Sequence, residues 1–348
     1  MSDRSWIVLT DGYTTSRNAK TAHGVLRYAR DRVVAVLDRE NAGRTMSEVM
    51  PSLSSAAPIV ADLDEAREMG GTSLLLGVAT PGGWIPEHWR PWVLAAVDAG
   101  LEVANGLHRF LADDPELVER AAASGARLWD VRRPPDDLPL FSGKSLDVPQ
   151  KTVLTVGSDC AVGKMTVSLE LAAAAEADGI AAEFIATGQT GIMIAGKGIA
   201  VDRVISDFLS GAAETLVCEG DPEADVLMVE GQGGLWHPAY AGVTLGLLHG
   251  SAPHALVLCH QAGRAAIEEP PYTPLPPLGE MCRAYEEAAS TVREARVVGV
   301  AVNCRGLSDE DAATAIAAVE DELGLPAADV FRGGGPKLWE AVRAEVGV

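Results

Sequence analysis

Gly157, Ser158, Asp159, Cys160, Ala161, Val162, Gly163, Lys164, Met165 and Thr166 form a run whose residue types and spacing suit phosphate binding. Glycines let backbone N–H groups converge on an anion, and a following helix N-terminus adds a favourable dipole. Lys164 then neutralises phosphate charge. The pattern is G-x₅-G-K-M-T, with one more residue between the glycines than the usual phosphate loop has. All ten positions are assigned to cofactor binding. A Mg²⁺-binding hydroxyl normally follows the lysine, and here Met165 stands in its place. Thr166 comes one residue later, rotated by about 100° on a helix, so it is expected to point away from phosphate. The loop therefore suits either ATP chemistry with metal held elsewhere, or a phosphate-bearing cofactor that needs no metal. Cys160 has no base beside it in sequence and is read as a packing thiol.

A second cluster runs from Glu230 through Gly231, Gln232, Gly233 and Gly234 to His237 and Pro238. Glu230 and His237 are the candidate catalytic acid–base groups. Backbone N–H groups at Gly233 and Gly234 suit an oxyanion. Gln189 and Thr190 lie in a glycine-flanked polar loop suited to substrate hydrogen bonds. Arg264 is a candidate for gripping a substrate carboxylate in two places. Asn303 is a candidate reader of an adenine edge. No metal site is expected for the metal-free cofactor; under ATP chemistry, Glu230 and Asp159 would hold Mg²⁺. Asp207 is balanced between a capping role and a role in the site.

These clusters need elements to position them. Strand-like runs fall at Trp6–Thr10, Val33–Leu37, Ser73–Val78, Leu101–Ala104 and Ala126–Val131, alternating with helix-like runs such as Thr21–Arg30, Pro91–Ala99 and Pro115–Ser124. The alternation predicts βαβ units and a mostly parallel sheet. Asp38 ends a strand as a ribose-binding acid would, but the first turn lacks G-x-G-x-x-G, so no dinucleotide site is assigned. This domain is expected to serve assembly or to shape the cleft. Prolines break the pattern over 132–150. The expected organisation is a Rossmann-like domain over 1–135, a linker at 136–150 and a P-loop domain over 151–348. In the second half, runs at Thr152–Val156, Ala181–Ala186, Val226–Val229, Ala255–Leu258 and Val297–Val302 read as strands, with a helix over Lys164–Ala177. Every polar cluster above lies at the C-terminal end of one of these strands, where open parallel sheets bind ligands. Residues 270–279 hold five prolines and are expected to form a surface loop or lid.

The chain of 348 residues, 47% hydrophobic and 22% charged, suits two α/β domains with cores that need no staples. A net charge of −21 argues against nucleic acid or an anionic membrane as partner. Five cysteines without a C-x-x-C pair exclude a disulfide framework and a standard zinc site, which fits a cytoplasmic location. No apolar run is long enough to span a membrane, and the N-terminus lacks the apolar core of a signal peptide.

Two family resemblances follow from the motifs. The G-x₅-G-K loop and the Glu-Gly-x-Gly-Gly strand end resemble dethiobiotin synthetase and its ATP- and Mg²⁺-dependent relatives. Four segments, Asn18–Gly24, Gly157–Thr166, Glu230–Gly233 and His237–Gly250, resemble a two-domain family that includes D-glutamate N-acetyltransferases. That resemblance covers nearly the whole chain. It implies an acetyl-CoA-dependent N-acetyltransferase acting on a small acidic amino acid, with the loop holding coenzyme A phosphates. It also implies a serine after Glu-Gly-Gln-Gly, where this chain has Gly234. An ATP-dependent ligase or kinase is the alternative enzyme, and a nucleotide sensor without turnover is the alternative of another class. A homo-oligomer is expected.

Overall fold

The computed structural model describes residues 4–80, 82–269 and 272–348. It divides into two compact units, one of Met1–Pro134 with Gln189–Ala200 and one of Pro135–Gly188 with Val201–Val348.

The first unit carries strands β1 (Trp6–Leu9), β2 (Val33–Leu37), β3 (Ile59–Val60), β4 (Ser73–Leu76), β5 (Glu102–Asn105) and β6 (Leu128–Asp130). They form one parallel sheet in the order β3-β2-β1-β4-β5-β6. This is the strand order of a doubly wound dinucleotide-binding sheet. Ile7, Leu9, Leu37, Leu74, Leu76 and Val103 are buried in its core with Trp89 and Val93 from the flanking helical segments, as expected of parallel strands covered on both faces. Asp38 is fully buried, and its carboxylate accepts from the Thr14 hydroxyl, the Glu40 N–H and the Asn41 side chain. It is thus committed to the turn after β2. Helix Gln189–Ala195 belongs to this unit. Its Thr190 hydroxyl bonds that of Thr21 at 3.2 Å, and Arg32 donates to the Ile194 carbonyl.

The second unit carries β7 (Lys151–Gly157), β8 (Ala182–Ile185), β9 (Val226–Val229), β10 (Ala255–Gln261), β11 (Arg296–Asn303) and β12 (Ala327–Ala328). They too form a parallel sheet, in the order β12-β11-β10-β7-β9-β8. The chain leaves β7 toward one edge for β8 and β9, then crosses to the other side for β10. The topological switch point therefore falls at the C-terminal end of β7, where an open sheet leaves a crevice. The phosphate loop begins there.

Four stretches carry detail beyond the sequence expectation. Strands β3 and β12 have two residues each, too short for a period to show. Residues 136–150, expected as the linker, are docked within the second unit. Glu214 of helix Leu209–Cys218 accepts from the Ser142 N–H and hydroxyl, and a Cβ at Gly211 would lie 1.8 Å from the Pro139 carbonyl. In the proline-rich stretch, Pro270 and Pro271 lie outside the described residues. Around them Ala266 bridges Pro274 in antiparallel fashion, and Ile267 N–H bonds the Thr273 carbonyl at 3.0 Å.

Candidate active site

The phosphate loop connects β7 to helix Lys164–Ala177. Ala161 and Gly163 have φ of 55° and 112°, which turns the backbone sharply into the helix. Gly163 is the N-cap, and no side chain caps the first turn. The first N–H groups of a helix have no intrahelical partner, so this end suits an anion. Lys164 is buried, and its ammonium donates to the carbonyls of Asp159 and Gly233, both at 2.7 Å. Burial lowers its pKa, opposed by nearby Cys160, Cys259, Asp159 and Glu230. Met165 is half-buried and Thr166 buried. The next hydroxyl, Ser168, bonds the Val229 carbonyl and Thr155, tying the helix to β9 and β7.

The loop after β9 lies against the phosphate loop. The Gly231 N–H donates to the Thr155 hydroxyl at 3.0 Å, and a Cβ at Gly231 would sit 1.7 Å from the Thr155 carbonyl. Only glycine allows that approach. A Cβ at Gly234 would meet the Gly157 carbonyl at 2.9 Å, so a serine here would press on the phosphate loop. Gly233 has φ of 66°, and its carbonyl receives Lys164. Glu230 is buried. One carboxylate oxygen accepts from the N–H groups of Thr187 and Gly188, both at 3.0 Å. Burial pushes the carboxyl up to about 7, against the lowering effect of those two N–H groups and Lys164. Glu230 is thus poised to exchange a proton near neutral pH.

His237 is buried and packs against Tyr240, with ring centroids 4.5 Å apart and the ring planes tilted by 45°. Its Nδ1 accepts from the Ala239 N–H at 3.2 Å. The fold brings its ring to Cys160, the base that sequence proximity did not offer. A carboxylate oxygen of Asp159, Sγ of Cys160 and a ring nitrogen of His237 all lie within 4.8 Å of one another. The packing role assigned to Cys160 therefore understates its position, since the half-buried thiol stands with an imidazole and a carboxylate.

Arg264 is placed differently from its expected role. Its side chain is 9% exposed and pairs with Asp159 at 2.6 Å, and it also donates to Gln261 and Glu268. Asp159 Oδ2 further accepts from the Glu268 N–H. The guanidinium is committed to holding the loop carboxylate, so gripping a substrate would require it to leave a buried ion pair. The two candidate Mg²⁺ ligands also have separate partners, Asp159 with Arg264 and Glu230 with backbone N–H groups. Asn303 donates to the Val162 carbonyl at 3.3 Å and so supports the back of the phosphate loop. Gln189 and Thr190, expected in a polar loop, open a helix of the first unit instead. Asp207 is exposed in the short 3₁₀ turn Ser206–Phe208.

Two positions escaped the sequence reading. The Tyr285 hydroxyl donates to the Gly157 carbonyl at 2.7 Å and accepts from the Leu235 N–H at 3.2 Å, joining the two loops. Burial raises its pKa, so it stays protonated. Tyr285 sits mid-helix in Leu278–Ser290 with no local motif to mark it. His260 Nδ1 lies 3.0 Å from the Ser158 hydroxyl, and burial followed by Arg264 pushes it down to about 4, which keeps it neutral. Its place just inside the end of β10 was the one available signal.

Comparison with known proteins agrees with this architecture. Residues 39–134 match the family model "Domain of unknown function (DUF1611_N) Rossmann-like domain". Residues 139–339 match "Domain of unknown function (DUF1611_C) P-loop domain". A protein of Tritonibacter scottomollicae named D-glutamate N-acetyltransferase is 40% identical over 283 residues, covering 81% of this chain and 84% of its own. One of the same name from a Pseudoalteromonas species is 39% identical over 271 residues, covering 78% and 81%. The crystal structure of a DUF1611 family protein from Anabaena variabilis superposes with a TM-score of 0.89 at 40% identity, covering 97% of this chain and 99% of that one. With both domains matched in order along a single chain, this protein belongs to the DUF1611 family.

Proposed function

We propose that the protein is an N-acetyltransferase that moves the acetyl group of acetyl-CoA to the amino group of D-glutamate or a close acidic amino acid. One observation carries this reading. A thiol, an imidazole and a carboxylate converge on a phosphate loop whose Mg²⁺-binding hydroxyl is replaced by Met165. Phosphoryl transfer has little use for a thiol and depends on metal. Acyl transfer uses a nucleophile, a proton acceptor and hydrogen-bond donors. The names of the two relatives support the same class of reaction and the same acceptor.

In this reading the loop N–H groups and Lys164 bind phosphates of coenzyme A. Cys160 Sγ attacks the thioester carbonyl while its proton passes to His237. The ring releases its long contact with Ala239 as it takes that proton. The carbon–sulfur bond to coenzyme A breaks, and His237 returns the proton to the departing thiolate. The acetyl group then rests on Cys160. The acceptor ammonium loses a proton to the Glu230 carboxylate, and its nitrogen attacks the new thioester. The nitrogen–carbon bond forms, the bond from carbon to Cys160 Sγ breaks, and the second nitrogen proton passes through His237 to the departing sulfur, while Glu230 releases its proton to solvent. Gly233 and Gly234 N–H groups serve the oxyanion in both steps.

Three measurements test this. Mass spectrometry of reactions with acetyl-CoA and a panel of D- and L-amino acids should find an N-acetylated acidic amino acid; no acetylated product from any acceptor refutes the reaction. Labelled coenzyme A, without acceptor, should exchange into acetyl-CoA in the native protein and not in Cys160→Ala. Product formation without exchange would leave the transferase standing and remove the thioester step. Coenzyme A should raise the melting temperature more than ATP with Mg²⁺ does.

A further inference from the structure

We propose that Asp159, Cys160 and His237 also form a binding site for zinc, and that zinc held there switches off the reactive thiol. The site joins two loops far apart in sequence and offers one oxygen, one sulfur and one nitrogen ligand, all within 4.8 Å of one another. Zinc accepts this mixture of ligands in tetrahedral geometry, with bonds of about 2.0–2.3 Å. Those bonds place ligand atoms about 3.3–3.8 Å apart. The cluster therefore needs to contract by about 1 Å, within reach of side-chain rotation at Cys160, which is half-buried.

The surroundings favour the ion in two ways. The Asp159 carboxylate is already fixed by Arg264 and the Glu268 N–H, so little ordering remains. His237 is buried against Tyr240 and is likewise confined. Binding has a stated cost, since the imidazole must give up its 3.2 Å contact from the Ala239 N–H. The thiol proton leaves to solvent, the sulfur–zinc bond forms, and three protein ligands leave a fourth position for water. Thiolate and carboxylate together balance a divalent cation, and the Arg264 charge paired with Asp159 remains as a cost that the metal–sulfur bond has to offset.

The metal site stands on geometry alone, whereas its inhibitory effect rests on the acetyl-transfer reading. The experiment keeps them apart. Chelator-treated full-length protein is titrated with Co²⁺, and absorbance is followed for a thiolate-to-cobalt charge-transfer band. One equivalent should produce the band, and Zn²⁺ should bleach it, because zinc binds such ligands more tightly than cobalt. Cys160→Ala and His237→Ala are measured beside it, with circular dichroism confirming that each remains folded. Each should weaken metal binding beyond the roughly 10–100-fold that loss of an outer supporting group costs. If one variant does not fold, the other decides. No band in the native protein, or a band that survives in a folded Cys160→Ala, overturns the site. Zinc should also lower acetyl transfer by at least tenfold, and chelator should restore it. Bleaching of the band without loss of transfer would overturn the switch and would count against Cys160 as the acetyl carrier. A protein that transfers no acetyl group still reports the metal through its spectrum.

Discussion

Glu230 gives the prediction with the firmest sign. Its carboxyl stands at about 7 in the fold against an ordinary value of 4.5, because burial penalises the charged form. An acid whose folded value is raised is stabilising in its protonated form. That stability is complete below 4.5, falls as the unfolded chain begins to ionise, and is gone once pH passes 7. The gap is worth about 3 kcal/mol at about 1.4 kcal/mol per pH unit. Between about pH 5 and pH 8 the loss is about 2–3 kcal/mol. Glu230→Gln retains an acceptor for the Thr187 and Gly188 N–H groups but cannot ionise. Relative to the native protein, the variant should therefore gain about 2–3 kcal/mol across that range. For a unit of this size it is a relative rise of about 5–10 °C in melting temperature. Paired melting curves at several pH values measure this directly, since other titrating groups cancel in the difference. Parallel curves would refute the reasoning, for they would show that Glu230 does not change its proton occupancy on folding. The same raised value places the onset of its base activity near neutrality, so acetyl transfer should rise through about pH 7 and lose that limb in Glu230→Gln.

Tyr285→Phe removes two buried hydrogen bonds and should cost about 1–3 kcal/mol. Melting temperature and kcat/KM should both fall, because the Gly157 and Leu235 loops lose their tie; unchanged values in both would count against a positioning role. Gly231→Ala forces a methyl group onto the Thr155 carbonyl and should cost more than about 3 kcal/mol. Gly242→Ala, in helix Ala241–Ser251 with nothing within 4 Å of its new methyl, serves as the control and should be neutral or stabilising by up to about 1 kcal/mol. Equal melting temperatures for the two alanine variants would refute the close approach of the loops.

Much of the fold was legible because its signals are local. Apolar runs such as Val226–Val229 end at glycine and polar clusters, and βαβ alternation implies parallel pairing. The phosphate loop was readable for the same reason, since strand, glycines, lysine and helix follow one another along the chain. The meeting of Cys160 with His237 was not legible, as it depends on β7 and β9 being neighbours although β8 intervenes in sequence. Arg264 shows the converse limit. Sequence reveals a cation at a strand end, but its partner Asp159 lies on another strand's loop, and only the fold shows the charge to be satisfied. Gln189 and Thr190 follow β8 in sequence as a ligand loop would, and nothing nearby signals that their helix joins the other unit.

That exchange of a segment bears on how the chain can be made and divided. Gln189–Ala200 completes the first unit, yet more than fifty residues of the second precede it. The first unit cannot finish folding when residue 134 leaves the ribosome; it waits for residue 200, roughly 3–13 s later at about 5–20 residues per second. During that interval Thr21 and Arg32 lack the partners that Thr190 and Ile194 later supply. A cut after residue 134 would yield a first half without its last helix and a second half bearing an unpartnered apolar one. The gene for this protein is thus not two modules joined end to end, and shuffling either half into another chain would need Gln189–Ala200 to travel with the first.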